Sequence, residues 1–115
     1  MYQVLKRDGE TAEFNISKIA VAITKAFEAQ GKQYHPSVID LLALKVTADF
    51  DYKIKDNLIS VEDIQDSVES VLIQAGYADV AKAYILYRRQ REKIRNMKST
   101  ILDYKDLVDS YLNVS

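Results

Sequence analysis

Residues 4–19 read VLKRDGETAEFNISKI, and this stretch raises both the fold class and the functional question. Asp8-Gly9 is a tight-turn pair, because Gly adopts positive φ freely and Asp tolerates it better than most residues. Residues 2–14 are therefore predicted to form a β-hairpin. A two-residue turn would set Arg7 opposite Glu10, Leu5 opposite Ala12 and Gln3 opposite Phe14. Leu5, Ala12 and Phe14 would then share the buried face. Asn15 is a good N-cap for a following helix, and Lys18 falls in that helix's first turn. The placement is unfavourable alone, since a helix N-terminus repels a cation by ~0.3–1 kcal/mol. Lys6, Arg7 and Lys18 together call for an anion.

Working outward, Ile16, Ile19, Ala20, Ile23, Ala26 and Phe27 recur at helical spacing and predict a helix over residues 16–30, stopped by Gly31. A second helix over residues 37–49 begins after Pro36, with Ser37 and Asp40 at capping-box spacing. Its Val38, Ile39, Leu41, Leu42, Leu44 and Val46 wrap more than half its circumference, which predicts a central position. Residues 51–59, DYKIKDNLI, are read as a short third strand near Lys53-Ile54 with a turn at Asp56-Asn57. Ser60 caps a third helix that carries Val61, Ile64, Val68, Val71, Leu72 and Ala75 and ends at Gly76. Glu62 and Asp63 complement its dipole. A fourth helix over residues 78–97 has Val80, Tyr84, Tyr87 and Ile94 on one side, and residues 101–112 add a C-terminal amphipathic pattern of Ile101, Tyr104, Val108 and Tyr111. The fold class is α+β: about four helices plus a C-terminal helix, capped by a small antiparallel sheet of three strands.

With 115 residues, 48% apolar and 29% charged, the chain suits one globular domain. A net charge of −1 argues against a strongly basic nucleic-acid module. The absence of cysteine excludes disulfides, thiolate metal sites and a cysteine nucleophile. No apolar run reaches membrane-spanning length and no signal peptide precedes the hairpin, so a cytoplasmic protein without membrane contact is expected.

Two constellations carry charge. The hairpin cations read either as a solvated turn, with Arg7 paired to Glu10, or as a phosphate clamp completed by Lys18 at a helix N-terminus. Arg88, Arg89, Arg91, Lys93 and Arg95 crowd the end of the fourth helix, where the dipole favours cations, and Asp63, Asp66 and Glu69 are candidate partners for them. Metal and catalytic readings are weak. His35 is the single histidine and reads as a surface loop residue, and Asp49 and Asp51 lack a turn glycine. No glycine-rich phosphate loop or nucleophile elbow is present. A non-catalytic domain with no metal site is expected.

Three ordered motifs carry a family resemblance. Val4-x-Lys6-Arg7-Asp8-Gly9 with Phe14-Asn15-x-x-Lys18-Ile19 resembles the opening of the ATP cone, the allosteric nucleotide-binding domain of ribonucleotide reductases. Val61-x-Asp63-Ile64-Gln65-Asp66-x-Val68-Glu69 and Val80-Ala81-Lys82-Ala83-Tyr84-Ile85-x-Tyr87-Arg88 resemble its later signatures. The resemblance implies a cone over residues 3–94 and a helical linker over residues 95–115, leading toward a catalytic domain outside this chain. It implies ATP or dATP as effector, accompanied by Mg²⁺. Lys6, Arg7 and Lys18 would contact phosphates, with Gln65, Arg88, Arg89 and Arg91 near the phosphate end. Val4, Ile19 and Ile64 would enclose adenine, with Asn15 where the base is read. Many cones carry glutamate three residues after the turn glycine; here Ala12 stands there, which moves polar recognition to Glu13 or Asn15.

The tail MKSTILDYKDLVDSYLNVS resembles the segment joining cone to barrel in anaerobic ribonucleoside-triphosphate reductases. The implied partners are ATP or dATP and the catalytic domain of that parent enzyme, with an effector-dependent oligomer. Two rivals stand beside this reading: a basic-helix adaptor for nucleic acid or protein, and the cone of a nucleotide-sensing transcriptional repressor. The repressor's preceding zinc ribbon needs cysteines that this chain lacks.

Overall fold

Asp8-Gly9 does turn the chain, but in a loop one residue longer than a two-residue turn. Gly9 N–H donates to Lys6 O (3.1 Å) and Lys6 N–H donates to Glu10 O (2.8 Å), leaving Arg7, Asp8 and Gly9 as the loop. Gly9 has φ +88°, the left-handed residue of a bulged three-residue hairpin, which only glycine adopts without strain. Strands β1 (Gln3–Leu5) and β2 (Thr11–Glu13) therefore pair as Val4↔Ala12 and Gln3↔Glu13. This corrects the expected register by one residue, and a one-residue slip exchanges the two faces of a strand. Val4, not Leu5, joins Phe14 against the core.

The register is held by aromatic packing outside the turn. Tyr2 stacks on Phe14 with ring centroids 4.7 Å apart, and both meet Phe50 edge-on at 6.0 and 5.7 Å. Such pairs add ~0.5–1.5 kcal/mol beyond area burial. Phe50 is fully buried at the end of a helix, so the hairpin's open end is pinned to the bundle.

The computed structural model describes the backbone of residues 1–112 and the side chains of residues 1–98. Helix α1 (Ile16–Ala29) buries Ile19, Ile23, Ala26 and Phe27 and is capped by Asn15, whose Oδ1 accepts from Ser17 N–H at 2.9 Å. It ends where Gly31, at φ +62°, lets Lys32 N–H donate back to Phe27 O (3.0 Å). Helix α2 (Pro36–Phe50) starts one residue earlier than expected, with Pro36 in its first turn. His35 is its N-cap, Nδ1 accepting from Ser37 N–H at 3.1 Å, so the histidine read as a mere loop residue has a structural task. Ile39, Leu42, Ala43, Val46 and Phe50 face the core, while Leu41 and Leu44 are exposed, which narrows the expected apolar wrap. Helix α2 still lies centrally, packed on both α1 and α3 (Val61–Gln74).

The third strand sits elsewhere than expected. Asp51–Lys53 form a single 3-10 turn continuing α2, so Lys53-Ile54 is not a strand. Asp56 and Asn57 both take positive φ (53° and 58°), and this turn delivers β3 (Leu58–Ser60) after it. β3 pairs in parallel with β1 (Val4↔Ile59, Leu5↔Ser60), giving strand order β2-β1-β3. The sheet is mixed rather than antiparallel, because the long return through α1 and α2 brings the chain in along β1's own direction.

Helix α4 (Ala78–Leu112) is continuous, so the expected separate C-terminal helix is its extension. Residues 96–100, NMKST, hold neither Gly nor Pro to break it. The side chains of the predicted stripe Ile101, Tyr104, Val108 and Tyr111 lie outside the described residues. The chain divides into two compact units, Met1–Ile85 and Leu86–Ser115. The first holds the core, including Val80, Ala81 and Tyr84; in the second, Tyr87 and Ile94 are exposed. Among the described residues no helix is long and apolar enough to cross a membrane.

Candidate functional site

The parallel β1–β3 pairing decides what the hairpin tip meets. Ser60 is the last residue of β3 and the N-cap of α3, its Oγ accepting from Asp63 N–H at 3.1 Å. Since Leu5 pairs with Ser60, the loop that follows Leu5 is carried to the first turn of α3. Arg7 crosses that gap. Its Nη2 donates to Gln65 Oε1 at 2.8 Å, and its Nε lies 3.8 Å from the Glu62 carboxylate. The expected Arg7–Glu10 pair is therefore not formed: the extra loop residue puts Lys6 opposite Glu10 and frees Arg7 to reach α3. The contact joins residues 58 positions apart in the chain.

On the other side, β2 runs through Phe14 directly into α1. Asn15 Oδ1 is engaged by Ser17 N–H, so its amide nitrogen is the free polar end, a donor. Lys18 N–H donates to Asn15 O (3.1 Å), which sets Lys18 as the third residue of α1, with its side chain exposed. Lys6 is also exposed. Beneath these polar groups lie Ile19 and Ile64, buried in the shared core, and Val4, half-buried against it. Ala12 shares Val4's side of the hairpin, whereas Glu13 pairs with Gln3 on the opposite side and is exposed.

Val4, Lys6, Arg7, Asn15, Lys18, Ile19, Ile64 and Gln65 thus all lie in the first unit, at the sheet and at the first turns of the two helices leaving it. Arg88, Arg89 and Arg91 belong to the second, where the Arg91 guanidinium sits 6.0 Å over the Tyr87 ring. Asp63, expected as a partner for that basic run, has Oδ1 3.9 Å from Lys53 Nζ. Two residues had no local functional signal. Glu62 was legible only as a helix-dipole complement, and its approach to Arg7 depends on the β1–β3 pairing. Lys53 falls where the sequence predicts a strand, and the structure puts it in a 3-10 turn.

The far end of α1 is charge-balanced by comparison. Lys32 Nζ lies 3.1 Å from Asp79 Oδ2 and 5.3 Å from the Tyr77 ring centroid. The hydrogen bond from Lys32, helped by one from Val80 N–H, holds the Asp79 carboxyl below its ordinary range. Tyr34 donates to Glu28 Oε1 at 2.9 Å, and that bond raises its phenol pKa. Burial, then Asp51, raises that of Tyr2. The open depression of about 460 Å³ beside Glu28, Lys32 and Tyr34 has its one lysine paired to Asp79. Among the described residues no group of three or more His, Cys, Asp or Glu is placed to hold a metal ion.

A family model described as the ATP cone domain matches residues 2–93 of this chain. The chain belongs to the ATP-cone family. As an ATP cone it is an allosteric nucleotide-binding module. The cone is 43% identical over 101 residues to a ribonucleoside-diphosphate reductase subunit alpha of Chlamydia pneumoniae, covering 83% of this chain and 10% of that one. It is 40% identical over 117 aligned positions to a vitamin B12-dependent ribonucleoside-diphosphate reductase of Thermoplasma acidophilum, covering 96% and 14%. It is 32% identical over 103 residues to an anaerobic ribonucleoside-triphosphate reductase of Haemophilus influenzae, covering 87% and 14%. The chain spans about a tenth to a seventh of the length of these relatives.

Proposed function

We propose that this cone binds ATP or dATP at the hairpin tip and the α1 and α3 N-termini, and so regulates a ribonucleotide reductase catalytic chain. The observation that carries the proposal is Arg7 held against Gln65 while Lys6 and Lys18 stay exposed beside two helix starts. That arrangement offers guanidinium, ammonium and backbone N–H donors to a polyphosphate. Val4, Ile19 and Ile64 supply an apolar floor for the base. Asn15, presenting an amide donor, suits an acceptor nitrogen of adenine, and Glu13 on the far side of the hairpin drops out of that role. Arg88, Arg89 and Arg91 enter the proposal through the family pattern. Mg²⁺ would arrive on the phosphates, since the clamp itself is cationic and Mg²⁺ is ordinarily held by substrate phosphates with few protein ligands.

Regulation requires that the effector bind one conformational or quaternary state better than another. The proposed partner is the catalytic domain of the parent reductase, with residues 95–115 as the connection and an effector-dependent oligomer as one form of the response. Similarity extends to three reductase types, so the proposal stands at the level of ribonucleotide reductase; the anaerobic type rests on the likeness of the tail. A cytoplasmic location and a role in supplying deoxyribonucleotides for DNA replication accompany it. No observation favours the basic-helix adaptor or the repressor cone.

Thermal unfolding with added nucleotide tests the proposal. At 100 times the dissociation constant, a ligand of the folded state alone adds ~2.7 kcal/mol. In a domain of this size that raises Tm by roughly 10 °C. No shift with saturating ATP or dATP would refute it.

A further inference from the structure

We infer that Glu62 is a built-in competitor of the nucleotide: its carboxylate holds Arg7 in the ligand-free cone and must give way when phosphates bind. The inference rests on the nucleotide reading of this site. Arg7 uses Nη2 on the neutral Gln65, and the Glu62 carboxylate lies 3.8 Å from its Nε. The Glu62 side chain is 60% exposed and that of Arg7 only 24%, so the carboxylate is the partner free to swing away. Glu62 sits in the first turn of α3, where the dipole favours a negative charge, so it is well kept while no phosphate is present. A triphosphate entering the clamp brings several negative charges to the same guanidinium. It must displace Glu62 or lie beside it, and both lower the affinity.

The consequence is an affinity set deliberately below what three cations alone would give. It also implies two opposed effects from one substitution. Glu62→Gln should tighten ATP binding roughly two- to fivefold, the range expected when an exposed charge pair no longer competes. It should also lower the melting temperature of the ligand-free chain slightly, because a favourable dipole partner is lost. The gain in affinity should shrink as salt is raised.

The test is calorimetric titration of ATP into the full chain as wild type, Glu62→Gln, Arg7→Ala and the double variant. Glu28→Gln is the control: it changes net charge equally, but lies ten residues beyond Lys18 on α1, about 15 Å along the helix axis. The inference expects tighter binding in Glu62→Gln, no change in Glu28→Gln, and little effect of Glu62→Gln once Arg7 is alanine. Unchanged or weaker binding in Glu62→Gln overturns it, as does a gain that persists undiminished without Arg7. Absence of nucleotide binding by the wild type overturns the site reading as well, which separates the two failures. If Arg7→Ala binds too weakly to titrate, the Arg7 Nε–H resonance of the ligand-free chain decides. It moves on Glu62→Gln if the pair is formed, and stays in place if it is not.

Discussion

Replacing Lys18 by alanine separates a phosphate ligand from a solvated lysine, because the two roles demand opposite signs. Lys18 is the third residue of α1, so its ammonium lies within the first turn, where the helix dipole opposes it. Its side chain is exposed, which places the dipole cost in the range of ~0.3–1 kcal/mol. Removing it should therefore leave the ligand-free domain as stable or more so, with Tm higher by roughly 1–8 °C. If the ammonium holds a phosphate, the same change removes a charge-assisted hydrogen bond worth ~1.5–3 kcal/mol and weakens binding at least about tenfold. Lys25, seven residues further along α1, is the control. It lies ~10 Å down the axis, beyond a Debye length at physiological salt, and alanine there should change neither quantity strongly. Thermal melts of the ligand-free proteins and calorimetric titration with ATP and dATP give both numbers. Undiminished affinity in Lys18→Ala, with the wild type shown to bind, would move the phosphates elsewhere.

Other expectations follow from named features. Ser67 is 1% exposed and its Oγ has no hydrogen-bond partner among the described residues, so Ser67→Ala should raise the urea midpoint by the equivalent of about 1 kcal/mol; a loss of that size would show a hidden bond. Asp79 is held below its ordinary range chiefly by Lys32, so its contribution is present at neutral pH and fades as pH falls below about 4. Asp79→Asn should therefore melt below the wild type at pH 7 and converge with it in acid; a difference constant with pH would deny the pair. Truncation after Lys98 should leave nucleotide affinity within about threefold, under ~0.7 kcal/mol, and the first unit folded; loss of circular dichroism and of binding would show that the tail belongs to the core.

Helices were legible where the signals are local: the apolar spacing and polar caps of α1 and α3 set their bounds within a residue or two. The hairpin register was not. One glycine at positive φ serves either a two-residue turn or a three-residue bulged loop, and here the choice rests with Tyr2, Phe14 and Phe50, a contact across the fold. β3 was displaced for a similar reason: the turn at Asp56-Asn57 is marked locally, but that the strand follows it rather than precedes it depends on the parallel pairing with β1, more than fifty residues away. His35 carries no sequence signal as a cap, because Ser, Thr, Asp and Asn dominate that position. At the site, the residue types were visible as motifs, but Arg7 turning to α3 rather than to Glu10 followed only from the register and the third strand.

The most direct test of the central claim is a calorimetric titration of the whole chain with Mg-ATP, Mg-dATP and a short DNA duplex at physiological salt. Saturable binding of at least one nucleotide, with no heat from the duplex, is the predicted result. Binding of the duplex without binding of either nucleotide would contradict it.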